Sequence, residues 1–416
     1  MSSRLPLVVI LGATGSGKTK LSLELAKRFN GEIIGADSMQ IYNGLDIITA
    51  KATKEEQSVA PHHMIDVLDP HDSFTVVQYK KRALEVIENL YASQKLPIVV
   101  GGTNYYIESL LWKILIDDGE FVTTPGILPN NDHELSSEEL HKKLNEVDPA
   151  AAKRLHPNNK RKILRSLEIL HKNGKTHSEL LAEQLSANDA SKSGGGLRFP
   201  NSLVLWLQCD QKILDKRLDD RVDSMLEQGL VKELLDFHKT YNEQRISANK
   251  TPDYTKGVFQ SIGFKEFHPY LILNEEERKT EDGKAKLEEG IKQLKMVTRR
   301  YARKQKKWIV NRFLGRQDRQ VPPMFGLDTT DVSQWDENVS KKATEIVESY
   351  IMNTACAYEP LPKLLTNSTP NNEETSFVCD TCERVFVGDF QWNIHMNSNK
   401  HKRLERKSKN KKLKIN

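Results

Sequence analysis

The chain alternates short apolar runs with longer segments whose apolar residues recur every three to four positions. Residues 5–11, LPLVVIL, are a continuous apolar run rich in β-branched residues, the pattern of a strand buried on both faces. A glycine-rich stretch, 12–17, follows. Leu21, Leu25 and Phe29 then recur at four-residue spacing and predict a helix from Lys18 to Phe29, stopped by Asn30 and Gly31. GEIIGAD (31–37) predicts a second strand that ends in a carboxylate. A helical stretch over 75–94 leads into LPIVVGGTNYY, a third strand with another glycine turn. Strand, helix, strand, helix, strand predicts an α/β fold: a P-loop parallel sheet flanked by helices, its functional loops gathered at the strand carboxyl ends.

From about residue 118 the pattern changes. Helical periodicity over 137–145 and 160–172 has no strand between, which predicts a helical insertion, 118–200, closing in the mobile loop NDASKSGGGLRFP. SLVLWLQCD (202–210) reads as a strand returning to the sheet, and helices are expected over 211–239 and 284–313. The core is therefore split into 1–117 and 201–320. A tail helix and linker are expected over 321–376, a small Cys/His module over 377–401 and a basic tail over 402–416.

Composition narrows the class. The 416 residues allow two or three domains; 38% are hydrophobic and 29% charged, ordinary for a soluble globular chain with a sizeable core. No run of about 18 apolar residues exists, which excludes a membrane helix. Four cysteines argue against a secreted disulfide scaffold, and the first residues show neither an apolar leader nor an Arg-rich presequence. The net charge of +5 is mild, but basic residues cluster in the second half.

The segment GATGSGKT fits the phosphate-loop pattern. Gly12, Ala13, Thr14, Gly15, Ser16 and Gly17 would turn backbone amides towards a polyphosphate at the positive end of the next helix. Lys18 would neutralise phosphate oxygens, and the Thr19 hydroxyl would reach Mg²⁺. A nucleotide-hydrolysing enzyme would also carry an apolar strand ending in Asp, but PIVV (97–100) runs into Gly101, Gly102 and Thr103. The acid is Asp37 instead. Beside a phosphate loop it can accept a proton from a nucleophile, cap a turn through Ser38 or ligate Mg²⁺, and the residues alone leave the three open.

Two features point to nucleic acid. RKILR (161–165) places three bases in a turn and a half, and Lys292 to Arg312 holds nine basic residues and no acid. Cys379-x₂-Cys382-x₁₂-His395-x₅-His401 has the spacing of a C₂H₂ finger holding one structural Zn²⁺, with Phe377, Phe386 and Trp392 as a minimal core. The tail from Lys400 to Asn416 has nine Lys/Arg and one Glu, suited to RNA backbone or to a nuclear address. Two readings of the residues meet these features: a P-loop kinase with a zinc-finger appendage, and an RNA-binding protein whose loop only senses a ligand.

The ordered set GATGSGKT, ADSMQIY, PHHMIDVLDP, PIVVGGTNYYIESLL, LHPNNKRKILRSLEI, RLDDRVDSML, QSIGFKE and TRRYARKQKKW resembles the tRNA dimethylallyltransferase (tRNA isopentenyltransferase) family over residues 5 to about 315, and the finger resembles its eukaryotic branch. The resemblance implies transfer of a dimethylallyl group from dimethylallyl diphosphate to N6 of the adenosine just 3′ of a tRNA anticodon. It implies that the loop holds the diphosphate, that Lys18 and Thr19 with Mg²⁺ offset its charge, and that Asp37 takes the N6 proton. Asp37, Ser38, Met39 and Gln40 would hold the adenine, with Thr103 beside it. Arg161, Lys162, Ile163, Leu164 and Arg165, and then Gln260, Ser261, Ile262, Gly263 and Lys265, would approach the tRNA. One of Arg217 and Arg221 would clamp the pyrophosphate, unless both are spent on helix neighbours Asp219, Asp220 or Asp223. The resemblance also implies a monomer with no membrane partner, cytoplasmic, in a family that often also serves mitochondria and nuclei.

Overall fold

The computed structural model describes residues 5–113, 132, 135–186, 196–247, 257–315, 320–364, 376–382, 384–399 and 401–405. These fall into two compact units, one within Met1–Asp117 and Gly196–Leu364, the other within Asp118–Gly195 and Leu365–Asn416.

The first unit is a six-stranded parallel sheet: β1 (Leu7–Gly12), β2 (Gly31–Gly35), β3 (His62–His63), β4 (Leu96–Val100), β5 (Ser202–Gln208) and β6 (Met324–Asp328), in the order β3-β2-β4-β1-β5-β6. β1 is central and wholly buried, which is why its sequence is a continuous apolar run rather than an alternating one. Its residues divide between two cores. Leu7, Val9 and Leu11 pack with Ile34, Tyr79, Ile107 and Phe267 on one face; Val8 and Ile10 pack with Leu21, Leu25, Leu205 and Ile346 on the other. The helix after β1 is Lys18–Phe29, closed by Asn30 in the left-handed conformation at φ 51°. Helices Val76–Ala92 and Asn104–Leu111 flank β4 in sequence.

The tail helix expected within 321–376 is present, but the segment also supplies β6, a strand the expectation lacked. Met324–Asp328 pairs in parallel with β5, and the helix Lys341–Met352 packs Ala343, Ile346 and Val347 onto the sheet. The short MFGLD run gives a weak strand signal because its glycine interrupts the apolar pattern.

Two further helices shape the site. Gln211–Glu227 follows β5, and Glu281–Ile309 is the long helix that carries the basic run. They are joined by a ladder of ion pairs: Asp215 with Arg303, Asp219 with Arg299, and Asp223 with Lys295, the last at 2.6 Å. Each rung is one turn from the next, and the acids ascend as the bases descend, as antiparallel helices require.

In the second unit, helices Ser137–Val147, Pro149–Arg154 and Lys160–Asn173 enclose Leu140, Leu144, Ala151, Ala152, Ile163 and Leu167. The finger is an antiparallel hairpin, β7 (Ser376–Cys379) with β8 (Arg384–Val387), followed by the helix Asp389–Asn397. Phe377 stacks on Trp392 at 5.1 Å between ring centres, as the sequence leads one to expect of a minimal core. The finger touches the insertion, where His156 Nε2 lies 2.9 Å from the Val385 carbonyl. Residues 188–195, the first part of the loop expected to be mobile, residues 365–375 of the linker and residues 406–416 of the basic tail lie outside the described residues.

Among the described residues no helix is long and apolar enough to cross a membrane.

Candidate active site and zinc centre

The glycine-rich loop between β1 and its helix needs glycine at Gly17. Its φ is +92°, and a Cβ there would lie 2.7 Å from the Trp335 ring. Trp335 is 5% exposed, its indole donates to Glu24 at 3.0 Å, and Lys20 lies over the ring. This contact braces the loop from below. The Lys18 ammonium donates to the carbonyls of Gly12 and Ala13 at 3.0 and 2.8 Å. Burial and then the charge of Arg221 pull its pKa down to about 8, against the attraction of Asp37. Thr19 is the second residue of the helix, and the hydroxyl of Ser16 is buried in the loop with no protein partner.

The missing acid at the end of β4 has a steric cause. A Cβ on Gly101 would lie 2.1 Å from the Ala36 carbonyl oxygen, and one on Gly102 would lie 2.4 Å from Gln305 Nε2 and 3.5 Å from Asp37 Oδ2. The carboxylate reaches the site from β2 across this gap. Asp37 Oδ1 accepts from the Met39 amide at 2.9 Å, which fixes the turn. The Ser38 amide donates to Thr103 Oγ1 at 3.0 Å, joining the ends of β2 and β4. Gln40 turns aside and donates to the carbonyls of Thr49 and Ala50, both at 3.0 Å.

Thr14, Asp37, Ser38, Met39 and Arg221 line one cleft of about 280 Å³, together with Gln260, Ser261 and Ile262. Segments more than 200 residues apart therefore meet at one cleft. The Ser261 hydroxyl is buried there without a protein partner. Gly263, at φ +108°, packs against Ile48, and Lys265 is exposed beside Glu266. Arg221 donates to Thr14 Oγ1 at 3.1 Å, and burial lowers its pKa despite Asp37. Arg217 goes elsewhere, donating to the carbonyls of Thr329 and Thr330 at 2.7 and 2.6 Å. Neither arginine is spent on a neighbouring acid of its own helix; Asp219 and Asp223 pair with the long helix instead.

The sequence reading missed several residues of this cleft. Leu218, Val222 and Met225 form an apolar wall on the helix that carries Arg221, and Tyr301 enters from the long helix. Burial and then Asp37 push the Tyr301 phenol well above its usual pKa, so it stays a neutral hydroxyl. Helical spacing alone marks Leu218 and Tyr301 as packing residues, so only the tertiary fold identifies them as cleft lining.

In the insertion, Arg161 and Lys162 are exposed and Arg165 pairs with Glu168 at 3.4 Å. Ile163 is fully buried in the insertion's core and Leu164 packs against that core. This corrects the expectation that the whole RKILR stretch faces the RNA: one face of the helix must be apolar to hold the unit together.

In the finger, Cys379, Cys382, His395 and His401 bring one ligand atom each to within 4.8 Å of one another. The two sulfurs lie 3.5 and 3.4 Å from His401 Nδ1, close to the ~3.5 Å edge of a zinc tetrahedron with the usual Zn–S and Zn–N bonds. His395 Nε2 is buried with no protein partner. The donor set and the orphaned nitrogen fit Zn²⁺, with all four positions filled by protein.

Residues 40–312 match the IPP transferase family and residues 377–401 a zinc finger of C2H2 type. The tRNA dimethylallyltransferase of Mus musculus is 48% identical over 403 residues, covering 95% of this chain and 85% of that protein.

The chain belongs to the tRNA dimethylallyltransferase family.

The Homo sapiens member is also 48% identical, over 401 residues, with the same coverage of both chains. A solved structure of a eukaryotic dimethylallyltransferase acting on tRNA matches with a TM-score of 0.81 and 33% identity, covering 99% of each chain. Membership makes the chain a transferase and sets aside the kinase reading. It also accounts for a glycine-rich loop without the second acid of a nucleotide hydrolase.

Proposed function

We propose that the chain transfers the dimethylallyl group of dimethylallyl diphosphate to N6 of the adenosine 3′ of the anticodon in tRNA, giving N6-dimethylallyladenosine and releasing diphosphate. One observation carries the reading: Thr14 and Arg221, from the side suited to a diphosphate, share a single cleft with Asp37, Ser38 and Met39.

The loop amides, Lys18 and Arg221 hold the diphosphate and offset the negative charge that grows on it as the allylic C–O bond breaks. The N6 amine attacks that carbon, and Asp37 accepts the proton the nitrogen loses. Met39's amide on Asp37 Oδ1 orients the carboxylate and leaves Oδ2 towards Gly102 and the cleft. The adenine has to leave the anticodon-loop stack to enter, at a cost of about a few kcal/mol. Thr103 and Ser38 meet it there, and the buried Ser261 hydroxyl is placed to take part. Thr19 and the orphaned Ser16 hydroxyl suit a hard cation, so these residues would hold Mg²⁺; when bound, the ion shares the charge of the leaving group. The exposed Arg161 and Lys162 and the finger bind the tRNA backbone. The enzyme acts as a cytoplasmic monomer.

The test is direct. The protein is incubated with dimethylallyl diphosphate, Mg²⁺ and an anticodon stem-loop RNA, and the digested nucleosides are read by mass spectrometry. Prenylated adenosine at the single position 3′ of the anticodon is expected, with ATP unable to replace the allylic donor. Turnover of ATP without prenylated RNA would refute the reading.

A further inference from the structure

The glycine-rich loop and the turn after β4 share one side chain. Gln305 lies on the helix Glu281–Ile309 and is 4% exposed. Its Oε1 accepts from the Thr14 amide at 2.9 Å, and its Nε2 donates to the Gly102 carbonyl at 3.0 Å. Thr14 belongs to the glycine-rich loop. Gly102 precedes Thr103, whose amide donates to Ala36 at 2.9 Å and whose hydroxyl accepts from the Ser38 amide. One planar amide, committed at both ends, therefore fixes the separation of the phosphate side from the carboxylate side. Glycine is required at 102 for this contact, because a Cβ there would stand 2.4 Å from Nε2. One turn earlier, the Tyr301 hydroxyl donates to the same Gly102 carbonyl at 3.4 Å. The ion-pair ladder holds the helix that presents both side chains.

We infer that Gln305 is a positioning residue that couples the two substrates: a diphosphate in the glycine-rich loop sets the placement of Thr103, Ser38 and Asp37 for the adenine. The inference rests on the proposed donor and acceptor. Gln305 does not line the cleft and acts through its partners. The Thr14 amide is spent on Gln305 and its hydroxyl takes a bond from Arg221 in the cleft, so a diphosphate that draws Arg221 and the loop around Thr14 pulls on the Gln305 amide and moves the Gly102 end with it. Coupling of this kind is reciprocal, so the donor tightens RNA binding by the factor by which RNA tightens donor binding.

The experiment titrates a fluorescent anticodon stem-loop with the full chain, with and without the unreactive analogue dimethylallyl thiodiphosphate. The analogue is expected to tighten RNA binding by about fivefold or more, at the lower end of typical coupling. Gln305→Met, close in size but unable to hydrogen-bond both loops, is expected to lose that factor while RNA affinity without the analogue stays unchanged. Gln305→Asn, too short to span the gap, is a second variant should the first fail to fold, and is expected to behave likewise. An unchanged coupling factor in a folded variant, with both affinities lowered equally, would mean a merely structural glutamine and would overturn the inference. Unaltered protein that binds both probes without coupling would overturn it too. Unaltered protein that binds neither probe would bring down the proposed function and the inference together.

Discussion

Arg217 and Arg221 stand one turn apart on the same helix, yet their guanidinium groups end in different places: Arg217 on the carbonyls of Thr329 and Thr330, Arg221 on the Thr14 hydroxyl at the cleft. Their losses should therefore differ in kind. Arg221→Ala is expected to lower kcat by ~10²–10³, the usual effect of removing one preorganised donor from developing charge. Arg217→Ala frees two carbonyls from charge-assisted bonds and is expected to destabilise the sheet unit by about 1–3 kcal/mol, with a much smaller effect on kcat at a temperature where the protein is folded. Thermal melts and steady-state kinetics on both variants separate the two.

The strands, the glycine-rich loop, Asp37 and the finger were legible because each is local: an apolar run, a fixed spacing, a turn residue. What was not legible depends on contacts between distant segments. Gln305 is one polar residue in a basic helix, and nothing near it in sequence marks it as 4% exposed and shared between two loops. Trp335 falls in a stretch read as tail helix and linker, yet it packs beneath Gly17. The absence of acid between Lys292 and Arg312 suggested nine charges for RNA, whereas Lys295, Arg299 and Arg303 are matched by acids some 70 to 90 residues earlier, and Arg312 by Glu108.

That division among the bases can be measured. Arg300 and Lys304 are exposed, whereas Arg299 is held by Asp219. If the exposed residues meet phosphate, Arg300→Ala or Lys304→Ala should each reduce the slope of log K against log salt by about 1. Arg299→Ala should leave the slope nearly unchanged and cost stability by up to ~1 kcal/mol, as expected for a half-exposed pair. Stem-loop titrations over a range of salt concentrations, with melts in parallel, check both.

Lys18 gives a pH dependence of opposite sign in binding and in stability. Its folded value of about 8 lies below the ordinary 10.5. Below pH 8 the ammonium is charged and can meet a diphosphate, so kcat/KM for the allylic donor should fall as pH rises through about 8. The folded state releases this proton before the unfolded chain does, so the group's contribution to stability rises between about pH 8 and 10.5. A donor kcat/KM profile that stays flat to pH 9.5 would refute a role for the Lys18 charge in capturing the donor.

The finger should hold one zinc per chain by elemental analysis, and Cys382→Ser should lose it. Removing residues 377–416 is expected to weaken RNA binding and flatten its salt dependence while sparing transfer at saturating RNA. The sheet unit should melt at an unchanged temperature, since none of its strands comes from the finger.

In the proposed reaction Asp37 takes the N6 proton, and a single-turnover assay of Asp37→Ala measures this most directly. With saturating dimethylallyl diphosphate and stem-loop RNA, formation of N6-dimethylallyladenosine should fall by ~10²–10⁴, the range of a lost general base, while RNA affinity stays near that of the unaltered enzyme. A variant that binds RNA normally and keeps most of its transfer rate would contradict it.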